Sequence, residues 1–162
     1  MAAAMVAPVR VYLGFGSNLE DPERQVRSAV DEVGALPGIV LVRCSSLYRT
    51  APLGPPGQPD YINAVAAYDT TLEPHPLLDA LQGLEAAHGR VRAERWGART
   101  LDVDILLYGR CEIADVRLTV PHAHLAEREF VLIPLVEIAP DLEIPRQGSV
   151  RALAARLAPP GA

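Results

Sequence analysis

The sequence contains no lysine, and its fifteen basic residues are all arginine. That absence excludes a glycine-rich phosphate loop of the kind that depends on a lysine ammonium. Any cationic side chain that meets a phosphate here must be a guanidinium, a planar fork with permanent charge. Cysteine is scarce too. Cys44 and Cys111 belong to no CxxC or Cys/His cluster, so they read as packed or half-buried thiols. No apolar run reaches the length of a membrane span. The opening Met1–Arg10 lacks the basic region and long apolar stretch of a signal peptide, which predicts a cytoplasmic protein with no membrane partner. A net charge of −5 argues against a general nucleic-acid binder.

What is present is a chain of 162 residues, 49% hydrophobic, most simply one domain over residues 1–162 with a real core. Val9, Val11, Leu13 and Phe15 alternate and predict a first strand. Asp21-Pro22 opens a helix, with the aspartate as cap and the proline in the first turn. Val26, Ala29, Val30, Val33 and Leu36 form its apolar stripe, and Pro37-Gly38 ends it. Residues 39–47 predict a second strand and 61–70 a third. A second helix over 74–89 carries Leu77, Leu78, Leu81 and Leu84. Residues 100–108 predict a fourth strand, and 118–120 a short extra one. Residues 129–138 form a short helix, and Ser149 caps a last one bearing Val150, Leu153 and Leu157. The order β-α-β-β-α-β predicts an α+β fold: a ferredoxin-like two-layer sandwich with an additional C-terminal helical extension.

Two connections stand out. Residues 50–60 are rich in proline and glycine, and residues 89–99 carry Arg90, Arg92, Arg95 and Arg99 around Trp96. Long irregular connections in a small domain tend to be functional. The second leads straight into Asp102 and Asp104, which the strand period sends to one face, roughly 7 Å apart at their Cα atoms. Paired carboxylates repel unless a cation sits between them. Their hard oxygens suit Mg²⁺, which takes one or two carboxylates and completes its shell with water and substrate phosphates. A solvated strand face would carry the same spacing. The neighbouring arginines favour a polyphosphate ligand, whose charge cations and metal share. Tyr61 and Asn63 lie two apart on the third strand; an asparagine amide can pair with the edge of a heterocycle, and an aromatic such as Tyr61 or Phe130 can stack on it.

These segments resemble the 6-hydroxymethyl-7,8-dihydropterin pyrophosphokinase family, from about residue 11 to 145. The resemblance rests on Tyr12-Leu-Gly-Phe-Gly-Ser-Asn-Leu19, Ser46-Leu-Tyr-Arg-Thr50 and Gln58-Pro-Asp-Tyr-Ile-Asn63. It continues through Gly89-Arg-Val-Arg92, Arg95-Trp-Gly-Ala-Arg-Thr-Leu-Asp-Val-Asp-Ile-Leu106, Leu118-Thr-Val-Pro-His122, Arg128, Phe130 and Pro134-Leu135. It implies a single pterin pyrophosphokinase domain that uses ATP and two Mg²⁺ ions and yields AMP and a pterin diphosphate in folate synthesis. Asp102 and Asp104 would hold the metals, with Arg90 and Arg99 joining them as catalytic groups. Gln82, Glu85, Arg90, Arg92, Trp96, Arg99, Ile105, Arg117, Thr119, His122 and Arg128 would contact ATP. Thr50, Pro52, Leu53, Tyr61, Asn63 and Phe130 would hold the pterin. The partners implied are these small molecules, and the chain would act as a monomer or weak homodimer. Ala98 and Ala123 depart from the family pattern, standing where proline and a bulkier residue are usual. The rival readings are another Mg-dependent nucleotidyl or phosphoryl transferase, which would release a different product, and a non-enzymatic nucleotide-sensing module.

Overall fold

The structure, a computed structural model, describes residues 7–18, 21–50, 60–89, 101–123 and 125–157. At its centre is β1 (Val9–Ser17), which pairs antiparallel with β4 (Tyr61–Thr70) on one side and β5 (Asp102–Tyr108) on the other. The far edge of β4 is shared by β2 (Ile39–Cys44) and β3 (Tyr48–Thr50), so the sheet runs β2-β4-β1-β5 with β3 beside β4. The sequence predicts one strand over 39–47, and the chain interrupts it. At the break, the Val65 N–H donates to the Ser45 hydroxyl (3.0 Å) while the Ser45 N–H donates to the Val65 carbonyl (2.8 Å). A side chain thus supplies one rung of the ladder.

Strand alternation sends Val11, Leu13 and Phe15 of β1, Ile62, Ala64, Ala66 and Tyr68 of β4, and Val103 and Ile105 of β5 to one face. Two helices cover it. The first, α1 (Pro22–Gly34), buries Val26, Ala29, Val30 and Val33; the second, α2 (Pro74–Ala87), buries Leu77, Leu81 and Leu84. Tyr68 is fully buried among them, and its hydroxyl donates to the Val30 carbonyl at 2.7 Å. The expected capping by Asp21 is absent. Its backbone sits in the left-handed region (φ 61°), its side chain makes no cap bond, and Pro22 opens the helix without it.

The C-terminal elements lie on the opposite face of the sheet. Helices α3 (Glu129–Ile138) and α4 (Val150–Leu157) pack Leu132, Leu135, Val150 and Leu153 against Tyr12, Val65, Ala67, Leu106 and Leu107. Ser149 caps α4 as expected, accepting the Ala152 N–H at 3.1 Å. Simple alternation does not hold along the whole of β5. Leu107 does not share a face with Leu101, Val103 and Ile105, because Leu13 pairs with Ile105 while Tyr12 pairs with Leu107. Leu106 is the extra residue of a β-bulge, and past it the strand turns over.

After β5 the chain forms a small hairpin, β6 (Ile113–Ala114) with β7 (Thr119–Val120), and a second pair, β8 (Glu143–Ile144) with β9 (Gly148–Ser149), precedes α4. Cys44 and Cys111 are both exposed, where packed or half-buried thiols were expected: one ends the edge strand β2 and the other follows the turn after β5. Among the described residues no helix is long and apolar enough to cross a membrane.

Candidate active site

Helices α3 and α4 cover only part of the second sheet face. Where they stop, the sheet itself forms the floor of a cavity of about 220 Å³. Its residues follow from the strand period: Gly14 and Gly16 on β1, Tyr61, Asn63 and Val65 on β4, Asp102, Asp104 and Leu106 on β5. Thr50 at the end of β3 and Phe130 and Val131 at the start of α3 form the walls. The central strand contributes no side chain at two successive positions on this face, which opens the space. A Cβ on Gly16 would lie 3.1 Å from Asn63 Oδ1, and one on Gly14 would meet Leu106 at 3.4 Å.

Asn63 is buried, and its Nδ2 donates to the Thr50 hydroxyl at 2.7 Å, which fixes the amide plane. Tyr61 pairs with Thr50 across β3 and β4, so the aromatic and the amide come from adjacent same-face positions. Arg128, expected among the ATP contacts, lines this first cavity instead, its guanidinium 5.6 Å from the centre of the Phe130 ring. That is a cation–π distance.

A second cavity, of about 300 Å³, lies between β5, α2 and the β6–β7 hairpin. It is lined by Gln82, Glu85, Ile105, Arg117, Thr119 and His122, six of the residues expected on the nucleotide side, and by Ala123. Helix α2 brings Gln82 and Glu85 to the open edge of the sheet. There Glu85 accepts the Val103 N–H at 2.8 Å, a backbone amide between the two aspartates that no strand among the described residues covers. Arg117 reaches over from the hairpin to donate to Asp79 (2.6 Å) and Gln82 (3.4 Å). His122 is tied to the same strand through its backbone N–H, which donates to the Leu106 carbonyl at 3.0 Å.

Asp104 lines both cavities. Its side chain is half exposed, and its Oδ2 lies 4.0 Å from His122 Nε2, a coulombic distance and too long for a hydrogen bond. Asp102 lines the first cavity beside it. Among the described residues no group of three or more acidic, histidine or cysteine side chains is arranged to hold a metal. The donor set is therefore a carboxylate pair opening on two cavities, which fits a Mg²⁺ that draws its remaining ligands from water and phosphate. Pro52, Leu53, Arg90, Arg92, Trp96 and Arg99, which complete the expected site, lie outside the described residues. Gly14 and Gly16 were not foreseen as site residues; the signal was present in two glycines at strand spacing inside a predicted strand.

An antiparallel sheet with helices on both faces, carrying paired carboxylates where two cavities meet, defines an α+β protein with a candidate site at that junction. The family model of 7,8-dihydro-6-hydroxymethylpterin-pyrophosphokinase (HPPK) matches residues 12–140, and the chain belongs to that family. It is 48% identical over 150 residues to the 2-amino-4-hydroxy-6-hydroxymethyldihydropteridine pyrophosphokinase of Haemophilus influenzae, spanning 93% of this chain and 94% of the relative. It is 53% identical over 136 residues to the enzyme of the same name from Pseudomonas aeruginosa, covering 84% of each chain. Its fold is similar to that of Plasmodium falciparum HPPK-DHPS solved with pteroate, with a TM-score of 0.75 at 12% identity over 96% of this chain. The match spans 43% of that longer chain.

Proposed function

We propose that this protein transfers the pyrophosphoryl group of ATP to the hydroxymethyl arm of 6-hydroxymethyl-7,8-dihydropterin, giving AMP and the pterin diphosphate on the route to folate. The observation that carries the reading is Asp104, shared by a cavity lined with Asn63, Tyr61 and Phe130 and by one lined with Gln82, Glu85, Arg117 and His122. A pterin in the first cavity and a triphosphate entering from the second would meet at the carboxylate pair.

Asn63, held by Thr50, would pair with the amide edge of the pterin, and the rings of Tyr61 and Phe130 would flank it. Arg117 and His122 would meet the nucleotide, with Arg128 at the boundary. Asp102 and Asp104 would hold two Mg²⁺ ions, which supply charge neutralisation along the triphosphate when bound. With both ligands seated, the pterin hydroxyl faces the β-phosphorus, and positioning supplies much of the rate. The ATP contacts expected of Arg90, Arg92, Trp96 and Arg99 belong to the same proposal, as do Pro52 and Leu53 in the pterin pocket.

The strand order β2-β4-β1-β5 with α1 and α2 on one face supports a ferredoxin-like reading of the fold, with α3 and α4 as the C-terminal extension. The proposal takes the chain as one domain, working in the cytoplasm as a monomer or weak homodimer. Incubation with Mg-ATP and the hydroxymethyl dihydropterin tests it. AMP should accumulate in step with consumption of the pterin. Release of pyrophosphate would point to nucleotidyl transfer, and ADP to transfer of a single phosphoryl group; either result would overturn the proposal.

A further inference from the structure

Glu137 sits in the last turn of α3, outside both cavities, yet its carboxylate gathers three donors from a distant part of the chain. The Ser46 N–H donates to both oxygens at 3.0 Å, the Ser46 hydroxyl to one at 2.7 Å and the Tyr48 hydroxyl to the other at 2.6 Å. Burial works to raise the Glu137 carboxyl, but the bonds from Tyr48 and Ser46 outweigh it and hold the group below the usual range. The charged form is therefore the one this contact selects.

The anchored segment is β3, three residues long and irregular in its connection to β2. A strand this short holds few ladder bonds of its own. Tyr48 pairs with Asn63 and Thr50 with Tyr61, so β3 lies directly along two of the β4 residues that line the first cavity. Thr50, two residues beyond the anchored Tyr48, accepts the Asn63 amide at 2.7 Å.

We infer that Glu137 is a positioning residue for the first cavity: by fixing Ser46 and Tyr48 it sets β3, so that Thr50 holds the Asn63 amide in one orientation. That its beneficiary is the pterin rests on the function proposed above. The second cavity shares no residue with this chain of contacts. Its nucleotide is the internal control.

Glu137→Ala removes every acceptor while leaving Leu132, Leu135 and Ile138 to pack α3. Pterin affinity, measured with Mg²⁺ and a non-hydrolysable ATP analogue, should fall about tenfold or more, as displaced positioning groups do. Nucleotide affinity, measured alone, should not change. Glu137→Gln keeps one acceptor oxygen and should fall between. The side-chain amide proton resonances of Asn63 should shift in Glu137→Ala without any ligand. Unchanged pterin affinity in that variant would overturn the inference, and so would equal losses of pterin and nucleotide affinity. If Glu137→Ala does not fold, Tyr48→Phe removes one donor and keeps the ring, and the same pair of affinities decides. A wild-type protein that binds no pterin would refute the proposed function instead; the Asn63 resonances would then decide whether Glu137 positions the amide.

Discussion

Gly16 lies directly opposite Asp102 in the pairing of β1 with β5, and two residues back Gly14 lies opposite Asp104. Each carboxylate thus has a residue without a side chain as its cross-strand neighbour. Cross-strand partners on one face normally fill the space between them. Here that space is left open, and the next side chain beyond Gly16 on the same row is Asn63 of β4. Acid, glycine and amide form one line across the sheet.

Gly16→Ala should therefore act on the pterin side. The new Cβ would stand 3.1 Å from Asn63 Oδ1, and Asn63 is held from its other end by Thr50. The amide must yield by a few tenths of an ångström, a displacement that positioned groups tolerate poorly. Pterin affinity should fall about tenfold while the protein stays folded. Calorimetry with pterin and an ATP analogue checks it, and an undiminished pterin affinity would show that the glycine floor plays no part in binding.

Asp102→Ala and Asp104→Ala should each leave the fold intact and lower turnover by orders of magnitude. The pair contributes to no core cluster, and like charges side by side disfavour one another without a cation. Thermal unfolding in the absence of divalent ions should show both variants cooperatively folded. The parent should gain stability on adding Mg²⁺ with a non-hydrolysable ATP analogue, by the ordinary linkage of binding to folding, and the variants should gain less. Near-normal turnover in either would remove the metal role.

Much of this was legible because strand alternation has a short period. Asp102 and Asp104 point the same way for the reason that Tyr61 and Asn63 do, and both pairs reach one cavity. The β5 bulge was not legible: Leu106 and Leu107 are both apolar, so alternation carries no mark of where the strand turns over. The break in the second strand escaped for a similar reason, since residues 39–47 keep a strand-like composition while Ser45 satisfies the ladder with its side chain. Glu137 was invisible to local reading, being 91 residues from Ser46 in the chain and brought there only by the packing of α3. The placement of Arg128 beside Phe130, not with Arg117, likewise depends on where α3 begins against the sheet.

Arg117→Ala should separate binding from stability. Its ion pair with Asp79 is substantially exposed, so its loss should cost no more than about 1 kcal/mol. Under the proposed function the same guanidinium, which lines the second cavity, would form a charge-assisted bond to a phosphate or ribose oxygen of ATP. A bond of that kind supports a rise of about tenfold or more in the KM for ATP. The KM for the pterin should hold. Steady-state kinetics with each substrate varied in turn distinguishes this from a general loss of structure, in which both constants would move.

The Glu137–Tyr48 contact carries a pH signature at both ends. The Tyr48 hydroxyl is pushed up to about 12, by burial first and then by its bond to the Glu137 carboxylate. The folded state prefers this phenol neutral. Its contribution is thus complete below the ordinary tyrosine range, near pH 10, and is lost as pH rises from there through about 12. Glu137 has the opposite sign. Its folded value is lowered, so its contribution is present above the ordinary glutamate range, near 4.3, and fades as pH falls below it. The difference in tyrosinate absorbance between the wild type and Tyr48→Phe isolates this one phenol among five tyrosines. Its midpoint should lie near 12, and in a Glu137→Gln background it should fall without reaching the ordinary value, because burial is the larger cause. A midpoint near 10 in the wild type would mean that Tyr48 is neither desolvated nor bonded to Glu137, and the anchoring of β3 would have to be sought elsewhere.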